Sequence, residues 1–66
     1  MKYVMNTVWT DGTCKTEYAE TLEQIKNAFG IRIADPDCTL CTAYKLYQDR
    51  TLVILDYDGI TANVDV

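Results

Sequence analysis

Apolar residues dominate residues 2–9 and fall on both sides of an extended chain, with Tyr3, Met5, Thr7 and Trp9 on one side and Val4 and Val8 on the other. The β-branched and aromatic content predicts a strand. Apolar groups on both sides predict burial on two faces. Thr10-Asp11-Gly12-Thr13 reads as a turn, because Asp-Gly tolerates left-handed backbone. The polar stretch that follows reads as a connector. At Thr21 the period changes: Leu22, Ile25 and Phe29 recur at helical spacing, with Ala28 beside them. Thr21 and Gln24 have the spacing of a capping box, and Glu20 and Glu23 lie where the positive end of a helix favours acids. Gly30 is placed to end the helix. The pattern thus predicts one helix, over residues 21–29, with Glu23, Lys26 and Asn27 on its solvated side.

Beyond the helix, Ile31-Arg32-Ile33 reads as a short strand, and Ala34-Asp35-Pro36-Asp37 interrupts regular structure. Residues 42–47 alternate, with Thr42, Tyr44 and Leu46 opposite Ala43, Lys45 and Tyr47. Leu52-Val53-Ile54-Leu55 is an unbroken apolar run, the mark of a central strand covered on both faces. Asp58-Gly59 is a hairpin signal. Residues 60–66 then alternate with Ile60, Ala62, Val64 and Val66 inward. The expected architecture is a single α+β domain over residues 1–66: an antiparallel sheet of about four strands with one helix packed on it.

Composition adds limits to this picture. At 66 residues, with 48% hydrophobic and 24% charged side chains, the chain is globular but has room for one modest core. Domains of this size gain from a metal or disulfide clamp. No apolar run approaches the roughly 20 residues that span a bilayer, and the first residues lack the apolar region of a secretory signal. The expected setting is cytoplasmic, with thiols reduced. A net charge of −4 repels phosphate, so direct nucleic-acid binding is not expected and a cationic protein partner is. With no histidine there is no Ser/His or Cys/His pair. The phosphate-cradling glycine motifs are also absent. An enzyme is not expected.

Three cysteines are too many for a single disulfide and too few for two. In a reducing compartment clustered cysteines point to metal first. Asp11-Gly12-Thr13-Cys14 and Cys38-Thr39-Leu40-Cys41 share one outline: a ligand, two turn residues and a second ligand. Asp11, Cys14, Cys38 and Cys41 are therefore the expected tetrahedral Zn2+ ligands, stapling the sheet at one end. Asp35, Asp37, water or a group from another molecule are alternatives for the fourth place. A thiol redox pair at Cys38 and Cys41 is a rival reading, although these residues run into a strand rather than a helix N-terminus.

Through these two motifs the chain resembles zinc-ribbon and zinc-knuckle proteins, with aspartate in the first ligand place. The resemblance implies a structural metal. The acids Asp49, Asp56, Asp58 and Asp65 have no basic residue after Arg50 to offset them, and are expected to face a partner with a basic surface. Five tyrosines and a tryptophan supply candidate contact residues. In its brevity, acidity and lack of a catalytic set, the chain also resembles small phage-encoded anti-CRISPR proteins that inhibit Cas9. That resemblance implies an inhibitor that binds a basic surface and obstructs nucleic-acid loading. The rival expectation is an adaptor or subunit of a host complex.

Overall fold

A computed structural model describes residues 2–64. The elements in chain order are β1 (Tyr3–Trp9), β2 (Cys14–Ala19), α1 (Leu22–Ile33), β3 (Cys38–Leu46), β4 (Thr51–Tyr57) and β5 (Ala62–Val64). The strands form a five-stranded sheet in the order β2-β1-β3-β4-β5. Each neighbouring pair is antiparallel. The fold is therefore α+β with one helix on an antiparallel sheet, as the pattern predicts, but with an additional strand.

The additional strand is β2, in the stretch read as a connector. Lys15 and Glu17 alternate with Thr16 and Tyr18, so neither side is apolar enough to show a strand in the sequence. Hairpin closure forms it instead: Trp9 N donates to Thr13 O and Gly12 N to Trp9 O, both at 2.9 Å. Since β1 is antiparallel to both β2 and β3, those two run in the same direction on either side of it. The helix α1 carries the chain across β1 between them, which seats it on one face of the sheet.

The predicted capping box is present, with Thr21 Oγ1 accepting from Gln24 N at 3.2 Å. The helix does not end at Gly30 but continues to Ile33, so Ile31-Arg32-Ile33 is its last turn rather than a strand. Helix-breaking by one glycine costs only about 1 kcal/mol. The half-buried Ile33, packed against the core, offsets that cost.

The core lies between α1 and the sheet, where Ile25 and Phe29 meet Tyr3, Met5, Cys41, Ala43, Ile54 and Leu55. Two β-bulges shape it. On β4, Ala43 pairs with Leu55 but Tyr44 pairs with Val53, so Ile54 is the extra residue. Ile54 and Leu55 are both buried, at 2% and 1% exposure. This is why the run of residues 52–55 is continuous: a bulge, not cover on both faces. The central strand is β3; β4 lies outside it, and Leu52 and Val53 are exposed. A second bulge, on β3, pairs Val8 with Leu40 and Trp9 with Cys38, leaving Thr39 over.

The last strand starts later than predicted, at Ala62, and is described over Ala62–Val64. Ile60, Ala62 and Val64 are exposed rather than inward, and Val66 lies outside the described residues. The preceding turn needs its glycine twice over. Gly59 has φ +94°, and a Cβ there would stand 3.0 Å from the Thr39 carbonyl oxygen at the bulge.

Candidate interaction face

The expected zinc ligands separate in the folded chain. In register, Cys14 pairs with Val8 and Val8 with Leu40, whereas Cys41 pairs with Thr7 and Thr7 with Lys15. Cross-strand partners share a face. Cys14 therefore lies on the open face of the sheet, exposed, while Cys41 lies on the helix-covered face, buried. Cys38 joins Cys41 there because the bulge at Thr39 restores its side; in a regular strand residues three apart point to opposite faces. What reads as a knuckle is a bulged strand. Asp11 Oδ1 accepts from Thr13 N at 3.0 Å and from Thr13 Oγ1 at 2.6 Å, closing its turn. Asp35 accepts from Trp9 Nε1 through Oδ2 and from Asp37 N through Oδ1. Among the described residues, no three of the histidine, cysteine and acidic side chains meet as a group that fits a metal. This arrangement does not fit a tetrahedral zinc site.

The two buried thiols are satisfied locally. Cys41 Sγ lies 3.5 Å from Thr7 Oγ1, and Cys38 Sγ lies 3.5 Å from the Leu40 carbonyl oxygen. Burial pushes both thiols above their usual range, and for Cys38 the nearby Asp35 carboxylate adds to the shift. At neutral pH both are protonated, so neither is a free thiolate nucleophile.

The expected acidic contact set is also divided. Asp49 precedes β4 and Asp58 follows it, at opposite ends of the strand. Asp58 Oδ1 accepts from Ile60 N and Thr61 N, which shapes the β4–β5 turn and lowers its pKa. Asp65 lies outside the described residues. Asp56 is on the open face, accepting from Thr42 Oγ1 at 3.1 Å. The topology instead brings Asp11, Asp35, Asp37 and Asp58 to one end of the sheet, from three different loops. There Thr10 N bonds to Asp37 O at 2.9 Å, and Asp11 and Asp37 line a shallow cavity of about 420 Å³ with Trp9. That grouping is invisible in a linear sequence.

The feature that sequence reasoning missed is the open face itself. Register assigns to it a row of Tyr18, Val4, Tyr44 and Val53, and a second row of Cys14, Val8 and Leu40. Between these rows run Thr16, Asn6, Thr42, Asp56 and Asn63. Thr16 Oγ1 donates to Asn6 Oδ1 at 3.0 Å, so this polar row is internally paired. Tyr18, Leu40 and Val53 are 57%, 48% and 41% exposed, so the apolar rows stand open to solvent. Asp56 is the only charged residue that the described strands place on this face; Lys15, Glu17 and Lys45 are on the helix side. The protein therefore presents a nearly uncharged sheet face, with Tyr44 on the central strand, Tyr18 on the edge strand β2, and acidic loops at one end.

No family model, curated protein or solved structure matches this chain. Among the described residues no helix is long and apolar enough to cross a membrane.

Proposed function

We propose that this protein is a non-enzymatic binding module whose contact surface is the open face of its sheet. The observation that carries the reading is the composition of that face among the described residues: apolar and aromatic rows, one charge, and no covering layer. Interfaces have this anatomy, with charge depleted and tyrosine enriched at the centre and polar groups at the rim. The acidic loop end, with the net charge of −4, favours a partner that carries lysine and arginine beside an apolar patch. Charge of this kind acts chiefly on association rate and on the rejection of wrong partners.

An inhibitor that occupies a nucleic-acid-handling surface is the narrower form of the proposal. A Cas9-type nuclease, with its positively charged guide–target channel, is the first purified partner to test, on the strength of the sequence resemblance. Neither zinc nor thiol chemistry has a part in this reading, because exposed Cys14 lies on the face opposite buried Cys38 and Cys41.

The test is capture of a partner by immobilised protein, comparing wild type with Leu40→Lys on the open face and Lys26→Glu on the outer side of the helix. Leu40→Lys is expected to lower affinity at least about tenfold, the effect of placing a charge in a hot-spot centre, while Lys26→Glu leaves it unchanged. Loss of capture in Lys26→Glu with normal binding by Leu40→Lys would place the contact on the helix side and overturn the proposal.

A further inference from the structure

The sheet has two edges of different character. At one lies β5, Ala62–Val64 among the described residues. At the other, β2 is a regular six-residue strand with no proline and no bulge, and its outer side meets no other element among the described residues. Proteins usually blunt such an edge, and a lysine on it is a common device. Here Lys15 does not act as a simple guard, because Glu17, which also accepts from Arg32 Nε of α1 at 2.8 Å, stands two residues away on the same side of the strand, 3.5 Å from it.

The direction of the backbone groups follows from the β1–β2 ladder. Trp9 N donates to Thr13 O, and bonded pairs alternate along an antiparallel ladder. In the register Thr7↔Lys15, Met5↔Glu17 and Tyr3↔Ala19, residues 15, 17 and 19 thus turn their backbone groups toward β1. Cys14, Thr16 and Tyr18 turn theirs outward, to the free edge. A second copy of β2 pairing there in antiparallel sense must match residues of the same facing. The two-fold axis can then lie at Lys15, Thr16 or Glu17.

These registers are not equivalent. An axis at Lys15 sets lysine against lysine, and like charges directly opposed destabilise a strand pair. An axis at Glu17 sets Glu17 against Glu17 of the second copy, each held by its own Arg32, and leaves Cys14 outside the bonded pairs. An axis at Thr16 sets Lys15 against Glu17 of the second copy, and Glu17 against its Lys15. It also brings all three outward residues into bonded pairs, Thr16 with Thr16 and Cys14 with Tyr18. One register therefore satisfies the charges and the backbone together.

We propose that β2 is a self-recognition edge, and that two copies of this protein associate through antiparallel β2–β2 pairing centred on Thr16. Because cross-strand partners share a face, the two open faces then form one continuous surface on the same side of an extended sheet. The pairing is isologous, as two-fold dimers require, and its strand-addition mode draws affinity from main-chain bonds. It does not depend on the open face binding anything.

The experiment is sedimentation velocity of the full chain over a wide concentration range, under reducing conditions. A reversible monomer–dimer equilibrium is expected. Thr16→Pro removes an outward N–H and no ladder bond to β1; it is expected to remain folded and monomeric. Lys15→Glu sets acid against acid at both ends of the pairing, and should weaken the dimer at low salt with the difference narrowing at high salt. Register is read by cross-linking in a Cys14→Ser background with oxidised glutathione as electron acceptor. Thr16→Cys places two thiols directly opposite, at a Cα separation of about 5.5 Å, and should form the disulfide dimer at least about tenfold faster than Lys15→Cys. A chain that is monomeric at every concentration overturns the proposal, and leaves the edge to a strand of another protein. A dimer that survives both Lys15→Glu and Thr16→Pro, or equal cross-linking at residues 15 and 16, also overturns it.

Discussion

Cys38 and Cys41 show how a single residue's environment sets its chemistry. Both are thiols whose folded-state pKa is raised by burial above the ordinary value of 9.0. Such a group contributes stability that is complete below its unfolded pKa and is lost as the pH rises through the folded one. The melting temperature is therefore expected to fall above about pH 9, and Cys41→Ala should flatten that alkaline arm. Asp11 and Asp58 act in the opposite sense. Their turn hydrogen bonds hold both carboxyls below 3.8, so what they contribute is present above that value and lost as the pH drops through their folded pKa. Reactivity provides a direct check: a thiol reagent at neutral pH should modify the exposed Cys14 quickly, and Cys38 and Cys41 only as fast as the domain opens. Equal rates at all three would contradict the burial.

At the scale of elements, α1 and the two bulges repay closer attention. Gly30 sits inside α1 with ordinary helical backbone, and a Cβ there would meet nothing within 4 Å. Gly30→Ala is thus expected to stabilise the protein by about 0.5–1 kcal/mol, read as a rise in melting temperature or in denaturant midpoint. A fall would mean that the glycine serves a contact outside the isolated chain. The bulges at Thr39 and Ile54 have the reverse significance. Each brings a residue onto the core side that strict alternation would turn away. Cys38 and Cys41, and likewise Ile54 and Leu55, can then all be buried.

For the whole molecule, the sheet separates residues that ligand spacing groups together. Asp11, Cys14, Cys38 and Cys41 have knuckle spacing, but the sheet plane lies between Cys14 and the buried pair. A chelator is therefore expected to leave the melting temperature unchanged, and added zinc to give no one-to-one binding by calorimetry. One equivalent of zinc that raised the melting temperature would show that the strands rearrange around it. The same sheet plane sets the helix, Lys15, Glu17, Lys45 and the buried thiols on one side, and on the other a face whose one strand charge among the described residues is Asp56.

Much of this arrangement was legible in local chemistry. The capping box at Thr21 and Gln24, the period of Leu22, Ile25 and Phe29, the turn at Asp11-Gly12 and the strand of residues 2–9 all depend on neighbours a few residues away, so the linear chain specifies them. Acidity and the lack of histidine likewise follow from composition alone. Three things required the folded chain. β2 has little apolar signal and exists because β1 offers it a ladder. The side to which Cys14, Cys38 and Cys41 point depends on register and on a bulge, and a shift of one residue reverses every side chain of a strand. The open face and the acidic end are assembled from segments far apart in the chain, and only the order β2-β1-β3-β4-β5 decides which of them become neighbours.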